Sequence, residues 1–157
     1  MQTSGGDYDM IVIAAPTSNV NGKVDRLTLS NLYTKGGLCK LSRIKADRID
    51  ILLNGAGVNA PTPFFDVSED EFQLIIDVNL KAVLLSCQVF GETMVSQEYG
   101  SIINFASVSA GPPLSKAFVY SVAKAGVYNL TQNLAREWAR NNVRVNSLRP
   151  GFYPTEW

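Results

Sequence analysis

The chain has no histidine in 157 residues. That absence removes a Ser-His-Asp triad, a Cys-His pair and a histidine-ligated zinc site together, so any acid-base chemistry falls to Tyr, Lys, Asp, Glu or Cys. Net charge is missing too: 14 basic residues balance 14 acidic ones. Overall attraction to nucleic acid or to an anionic membrane is therefore absent, and a small-molecule partner is favoured. The two cysteines, Cys39 and Cys87, match no metal-ligand spacing, so no metal site is expected and a reduced, cytoplasmic protein is the simplest reading. Apolar runs are short. The longest, residues 10–16 and 82–90, fall below the roughly 20 residues that span a bilayer. The polar start "MQTSGGDYD" lacks the basic region that opens a signal peptide. Neither nucleic acid nor a membrane is an expected partner.

What is present is regular from Asp50 onward. An apolar content of 46% is enough for one core in a chain of this size. "IDILLN" (residues 49–54) is a short apolar run ended by Gly55, as expected of a strand buried on both faces. "SEDE" reads as a capping box with Ser68 at N-cap and Glu71 at N3. It opens a helix predicted over residues 69–97, with Phe72, Ile75, Ile76, Val83, Leu84 and Val89 at helical spacings and a close at Gly100. "SIINFAS" (residues 101–107) follows as a strand, then a Gly-Pro-Pro loop at residues 111–113, a helix over 118–141 and "VRVNSL" (143–148) as a strand. Strand, helix, strand, helix, strand implies a parallel sheet with helices on its faces, whose ligands sit at the carboxyl ends of the strands.

The first 46 residues read as an atypical segment. Apart from "MIVIAA" they show weak periodicity, and residues 23–48 hold seven of the fourteen basic residues against Asp25 and Asp47. Without aromatic interleaving or a binding motif, this reads as solvated charge.

Inside the second helix, Tyr120 and Lys124 stand four residues apart in "YSVAK". Alone the spacing says little, since in a chain of this composition it arises by chance about once in four. Its chemistry is nonetheless clear. A tyrosine is almost wholly protonated at neutral pH, and giving it acid-base duty there takes roughly 4 kcal/mol. A lysine cation on the same helix face, about 6 Å away, supplies on the order of 3 kcal/mol of that. Thirteen residues before Tyr120 stands Ser107 at a strand end. Further back are Asn79 in "DVN" and "NGAG" at residues 54–57, and the last strand runs into "RPGFYPT".

This set, in this order, resembles the short-chain dehydrogenase/reductase family over residues 47–157. The resemblance implies an α/β fold, a partial Rossmann-like doubly wound parallel sheet. It implies an NAD- or NADP-dependent oxidoreductase that interconverts an alcohol and a carbonyl. By the same resemblance Tyr120 is the catalytic acid-base and Lys124 its electrostatic partner and a ligand of the nicotinamide ribose. Ser107 would donate to the substrate oxygen, and Asn79 would support a water-linked proton relay. Asn54, Ala56 and Gly57 would lie beside the cofactor, and Pro150, Gly151 and Thr155 would approach its nicotinamide and pyrophosphate. "NGAGVNAPTP" and "LRPGFYPTEW" are similar to members acting on sugars and sugar acids such as gluconate or mannonate and fructuronate. The two long helices correspond to the family's oligomer interface, which implies a homo-oligomer.

The pattern also departs from the family. Its glycine-rich turn T-G-x-x-x-G-x-G after the first strand is absent: "MIVIAA" leads into "PTSNVNG", with Gly22 alone. The residue that selects NAD or NADP and the family's final strand are absent as well. "GAGVNA" formally satisfies G-x-G-x-x-A, but Pro61 and Pro63 intervene before any helix, so no helix N-terminus faces a pyrophosphate there. The abrupt change near residue 46 is read as an altered frame or an incomplete gene upstream. The alternative reading is a catalytically incompetent fragment or interaction module derived from such an enzyme. With its usual neighbour gone, "IDILLN" would offer an open apolar sheet edge, a place that "MIVIAA" is expected to fill.

Overall fold

The computed structural model describes residues 10–13 and 48–152. The expectations for Thr155, Gly22, Cys39 and the basic run before Arg48 lie outside those residues. Four strands form one parallel sheet in the order β1-β2-β3-β4: β1 Met10–Ile13, β2 Ile51–Asn54, β3 Gly100–Phe105 and β4 Val143–Leu148. β1 pairs with β2 from Met10↔Ile51 to Ile13↔Asn54, so "MIVI" does take the place beside "ILLN". Because all pairs are parallel, Asn54, Phe105 and Leu148 end on one edge of the sheet.

Between β2 and β3 runs one long helix in three parts: α1 Glu69–Ile76, a five-residue π turn Asp77–Lys81 and α2 Ala82–Ser96. Ser68 caps it as expected, its hydroxyl accepting from the Glu71 N–H at 3.1 Å, while the Glu71 carboxylate accepts from the Thr62 hydroxyl at 2.8 Å. The π turn was not foreseen. Nothing in the apolar spacing distinguishes an i→i+5 turn from its α neighbours, and such turns concentrate at functional sites. The close at Gly100 is corrected: the helix ends at Ser96, Glu98 takes the left-handed region at φ 53, and Gly100 is the first residue of β3. By length and composition this 28-residue helix is apolar enough to cross a membrane, but more than half of its most apolar stretch is buried inside the fold.

α3 Phe118–Trp138, extended by a tight turn at Ala139–Asn141, links β3 to β4. The core lies between the helices and one face of the sheet. Leu52, Ile102, Val143 and Val145 meet Val83, Cys87, Phe90 and Met94 of α2 and Val127 of α3. Burying each large side chain contributes about 1.5–3 kcal/mol. Two patterning expectations are corrected here. Phe72 and Leu84 are exposed rather than buried. β2 is fully buried on one face only, with Leu52 inside and Ile51 and Leu53 half-buried. The helices follow strands laid side by side in one direction, so right-handed crossovers bring them to the same face. The described residues form one wound half of a Rossmann-like sheet.

Candidate active site

Tyr120 lies in the first turn of α3, half-buried, and Lys124 lies one turn later with 3% exposure. The Lys124 ammonium donates to the carbonyl of Phe105, the last residue of β3, at 2.8 Å and sits 5.5 Å from the centre of the Tyr120 ring. Burial lowers Lys124 from 10.5 to about 8. The cation invoked from the sequence is therefore held less firmly than a surface lysine's and is lost as pH rises past about 8, a restriction that spacing did not reveal. The helix can sit this close because residue 126 is glycine: a Cβ there would stand 3.0 Å from Leu80 in the π turn.

Asn79 occupies that π turn and is fully buried. Its amide nitrogen donates to the carbonyls of Val58 and Ile75 at 2.8 and 2.9 Å, and its oxygen accepts from the Val58 N–H at 3.3 Å. The side chain thus clamps the loop that follows β2. Gly57 in that loop faces the pair: a Cβ there would lie 3.1 Å from the Asn79 oxygen and 3.6 Å from the Lys124 nitrogen. The glycine keeps open a small cradle lined by an amide and a buried ammonium. Among the described residues Phe105 provides the one acceptor for that three-proton ammonium, so donors remain for a polar ligand.

Ser107 stands two residues beyond β3 and is 8% exposed. Its oxygen accepts from the Ser109 N–H at 3.2 Å, which leaves its own proton available to donate. The segment is tied to the end of β4: Ala106 N–H donates to Leu148 at 2.9 Å, Val108 N–H to Pro150 at 3.0 Å, and Arg149 Nε to the Ser107 carbonyl at 3.4 Å. Ala56 is buried beside the loop, while Pro150 and Gly151 are exposed, with nothing within 4 Å of a Cβ built at Gly151.

Asn79, Gly57, Lys124 and Tyr120 thus form one cluster at the carboxyl edge of the sheet, with Ser107 and Pro150 joined beside it. Asn54 departs from this group. It is 2% exposed, and its amide is engaged within the core with Ser86, Cys87 and Asn104. The sequence reading passed over Ser86, Asn104 and Thr131. Their signal was present: each is a polar residue within an apolar stripe. "GAGVNA" carries no helix, and α1 starts at Glu69, so the formal dinucleotide fingerprint has no helix N-terminus behind it.

The family model "short chain dehydrogenase" matches residues 38–157. The 3-oxoacyl-[acyl-carrier-protein] reductase FabG of Chlamydia pneumoniae is 39% identical over 112 residues, covering 71% of this chain and 45% of that protein. The 2-dehydro-3-deoxy-D-gluconate 5-dehydrogenase of Formosa agariphila is 33% identical over 117 residues, covering 73% of this chain and 44% of that protein. Among solved structures, a gluconate 5-dehydrogenase from Burkholderia cenocepacia J2315 in complex with NADP and tartrate superposes with a TM-score of 0.73 at 27% identity. It is matched over 80% of this chain and 50% of its own. The chain spans about half the length of these relatives.

Proposed function

Because the chain belongs to the short chain dehydrogenase family, we propose that it is the acid-base half of an NAD- or NADP-dependent oxidoreductase interconverting an alcohol and a carbonyl. The observation that carries this reading is the Lys124 ammonium, buried between the Tyr120 ring and the Phe105 carbonyl and facing the cradle at Gly57. A buried ammonium with spare donors fits a ribose hydroxyl. Lys124 with Tyr120, and the backbone of Ala56, Gly57, Pro150 and Gly151, would hold the nicotinamide end of the cofactor. A nicotinamide held there supplies the hydride chemistry.

The chain's own residues handle the proton. Tyr120 takes it from the alcohol oxygen in oxidation and returns it to the carbonyl oxygen in reduction. Lys124 sets its charge beside the Tyr120 ring as electrostatic partner, and Ser107 donates its free hydroxyl proton to the same substrate oxygen. Asn79 supports the relay by holding the Gly57–Val58 loop over Lys124. Similarity to the two gluconate-type dehydrogenases makes a sugar or sugar acid the substrate class to try first. Turnover of gluconate-type acids and of sugars with each cofactor, compared between the parent and Tyr120→Phe, tests the assignment. Activity that survives in Tyr120→Phe would remove Tyr120 from its role.

A second reading is favoured by one observation. Phe64, Phe65 and Phe118 form an edge-to-face aromatic group exposed by 63%, 97% and 42%. Val122 on α3 and Phe72 on α1 are also exposed, by 62% and 47%. Apolar surface of this kind marks an interaction site, and on both readings the long helices pair with a second copy. Under the second, pairing is all the chain does. Sedimentation of the parent against Phe118→Ser measures the pairing; a monomeric parent would refute it.

A further inference from the structure

Seven residues beyond Lys124 on α3 stands Thr131, and seven beyond Asn79 on the long helix stands Ser86. Both are buried hydroxyls, 3% and 0% exposed, in helix faces otherwise made of Val83, Cys87, Phe90 and Val127. A single line of hydrogen bonds joins them across the sheet. The Ser86 hydroxyl donates to Asn54 Oδ1 at 2.5 Å, and Asn54 Nδ2 donates to Asn104 Oδ1 at 2.8 Å. Asn104 Nδ2 then donates to Thr131 Oγ1 at 3.0 Å, and the Thr131 hydroxyl donates to the Val127 carbonyl at 2.8 Å. The two asparagines are register partners on neighbouring strands, Asn54↔Asn104. Each link in the line pairs a donor with an acceptor, and every link runs in the same direction.

We propose that Ser86 and Thr131 are positioning residues: through the Asn54–Asn104 amide pair they fix the axial height of both site-bearing helices against the strand ends, and thereby place Asn79 and Lys124. Apolar packing alone does not do this. It is non-directional, so a helix sliding along a sheet keeps most of its buried area. Hydrogen bonds weaken steeply with distance and angle, and a buried polar group left without a partner is costly, so this line is satisfied at one alignment only. Lys124 does not fix its own height, because its charge rides on a flexible four-carbon stem. One more spacing supports the assignment. Asn104 directly precedes Phe105, whose carbonyl accepts from Lys124, so the Thr131 link meets β3 one residue before the strand end that Lys124 reaches. In α2 the same role falls to Ser86, behind the π turn that carries Asn79.

The placement is separable from the functional reading, on which it rests only for what the placed groups do. The test uses cofactor-free protein: competitive acetylation with acetic anhydride, read by peptide mass spectrometry as Lys124 labelling relative to exposed Lys81, alongside amide exchange of β3. Thr131→Val is expected to raise Lys124 labelling about tenfold while the amides of Ile102 and Asn104 keep their parental exchange. Thr131→Ser restores protection. Unchanged labelling, or labelling that rises in step with β3 exchange, would show a merely structural hydroxyl and overturn the proposal. If Thr131→Val does not fold, Ser86→Ala decides through the Val58 N–H, which Asn79 holds at 3.3 Å. Its exchange is expected to quicken about tenfold with β3 unchanged, and an unchanged Val58 refutes the role. A parent that binds neither NADH nor NADPH would end the enzymatic reading and leave these outcomes standing.

Discussion

Two polar regions share this core, and they differ in how completely they satisfy themselves. At the carboxyl edge, Asn79, Lys124, Gly57 and Tyr120 leave an ammonium with donors to spare beside a space that a single Cβ would narrow. One layer deeper, Ser86, Asn54, Asn104 and Thr131 link donor to acceptor in an unbroken line. Burial acts on an ionisable group in each. It lowers Lys124 to about 8 and raises Cys87 to about 12, with the thiol's hydrogen bond to Asn104 and the one it accepts from Asn54 offsetting only part of the latter. Desolvation favours the neutral form in both cases. The consequences diverge: an ammonium poised near neutral pH is useful to a reaction, whereas a thiol locked in its neutral state is inert. Unsatisfied polarity marks the place for a ligand, and satisfied polarity marks scaffolding.

The sharpest break in that comparison comes from Tyr120→Phe. It removes one oxygen from the open cluster and none from the closed one. Turnover is expected to fall by about 10³ or more, with cofactor affinity and thermal stability close to the parent's, as steady-state kinetics and melting would show. Asn104→Leu should do the reverse. It strands partners at Asn54 and Thr131, so unfolding in urea should show a loss of about 3 kcal/mol.

The pH dependence of stability separates the two regions by sign. Lys124 has its folded value below its unfolded one, so between about 8 and 10.5 the unfolded chain binds more protons and stability rises with pH. Cys87 has its folded value above its unfolded one, so from 9.0 toward about 12 the unfolded thiol ionises first and stability falls. Urea midpoints across this range should lose the rise in Lys124→Met and the fall in Cys87→Ala. A smaller effect is expected from Gly57→Ala, whose new methyl meets Asn79 at 3.1 Å. Affinity for NADH or NADPH should drop about tenfold, while the melting temperature stays within about 2 °C.

Local signals were legible in the sequence wherever a residue's own chemistry decides its conformation. Ser68 capped the helix its pattern promised, "VRVNSL" became β4 from Val143 to Leu148, and Tyr120 and Lys124 share a helix face by spacing alone. The resemblance supplied Ser107 and Asn79. The π turn at Asp77–Lys81 was not legible, because it is set by how Asn79 and Leu80 meet the Val58 loop and Gly126, partners 20 and more residues away. For the same reason Asn54 was placed beside a cofactor. Its sequence context, "NGAG" at a strand end, is that of a ligand loop, and only its partners on β3 and α2 turn it into the core. A polar residue in an apolar stripe shows that it needs a partner, but not which distant residue will be that partner.

The central claim is that the open cluster at Gly57 and Lys124 receives a nicotinamide cofactor. Fluorescence titration of folded protein with NADH and NADPH up to millimolar concentration tests it directly, with Lys124→Met as the paired sample. Saturable binding of one or both, weakened about tenfold or more in Lys124→Met, is the predicted result. Folded parent protein that binds neither, or binding that Lys124→Met leaves unchanged, would contradict it.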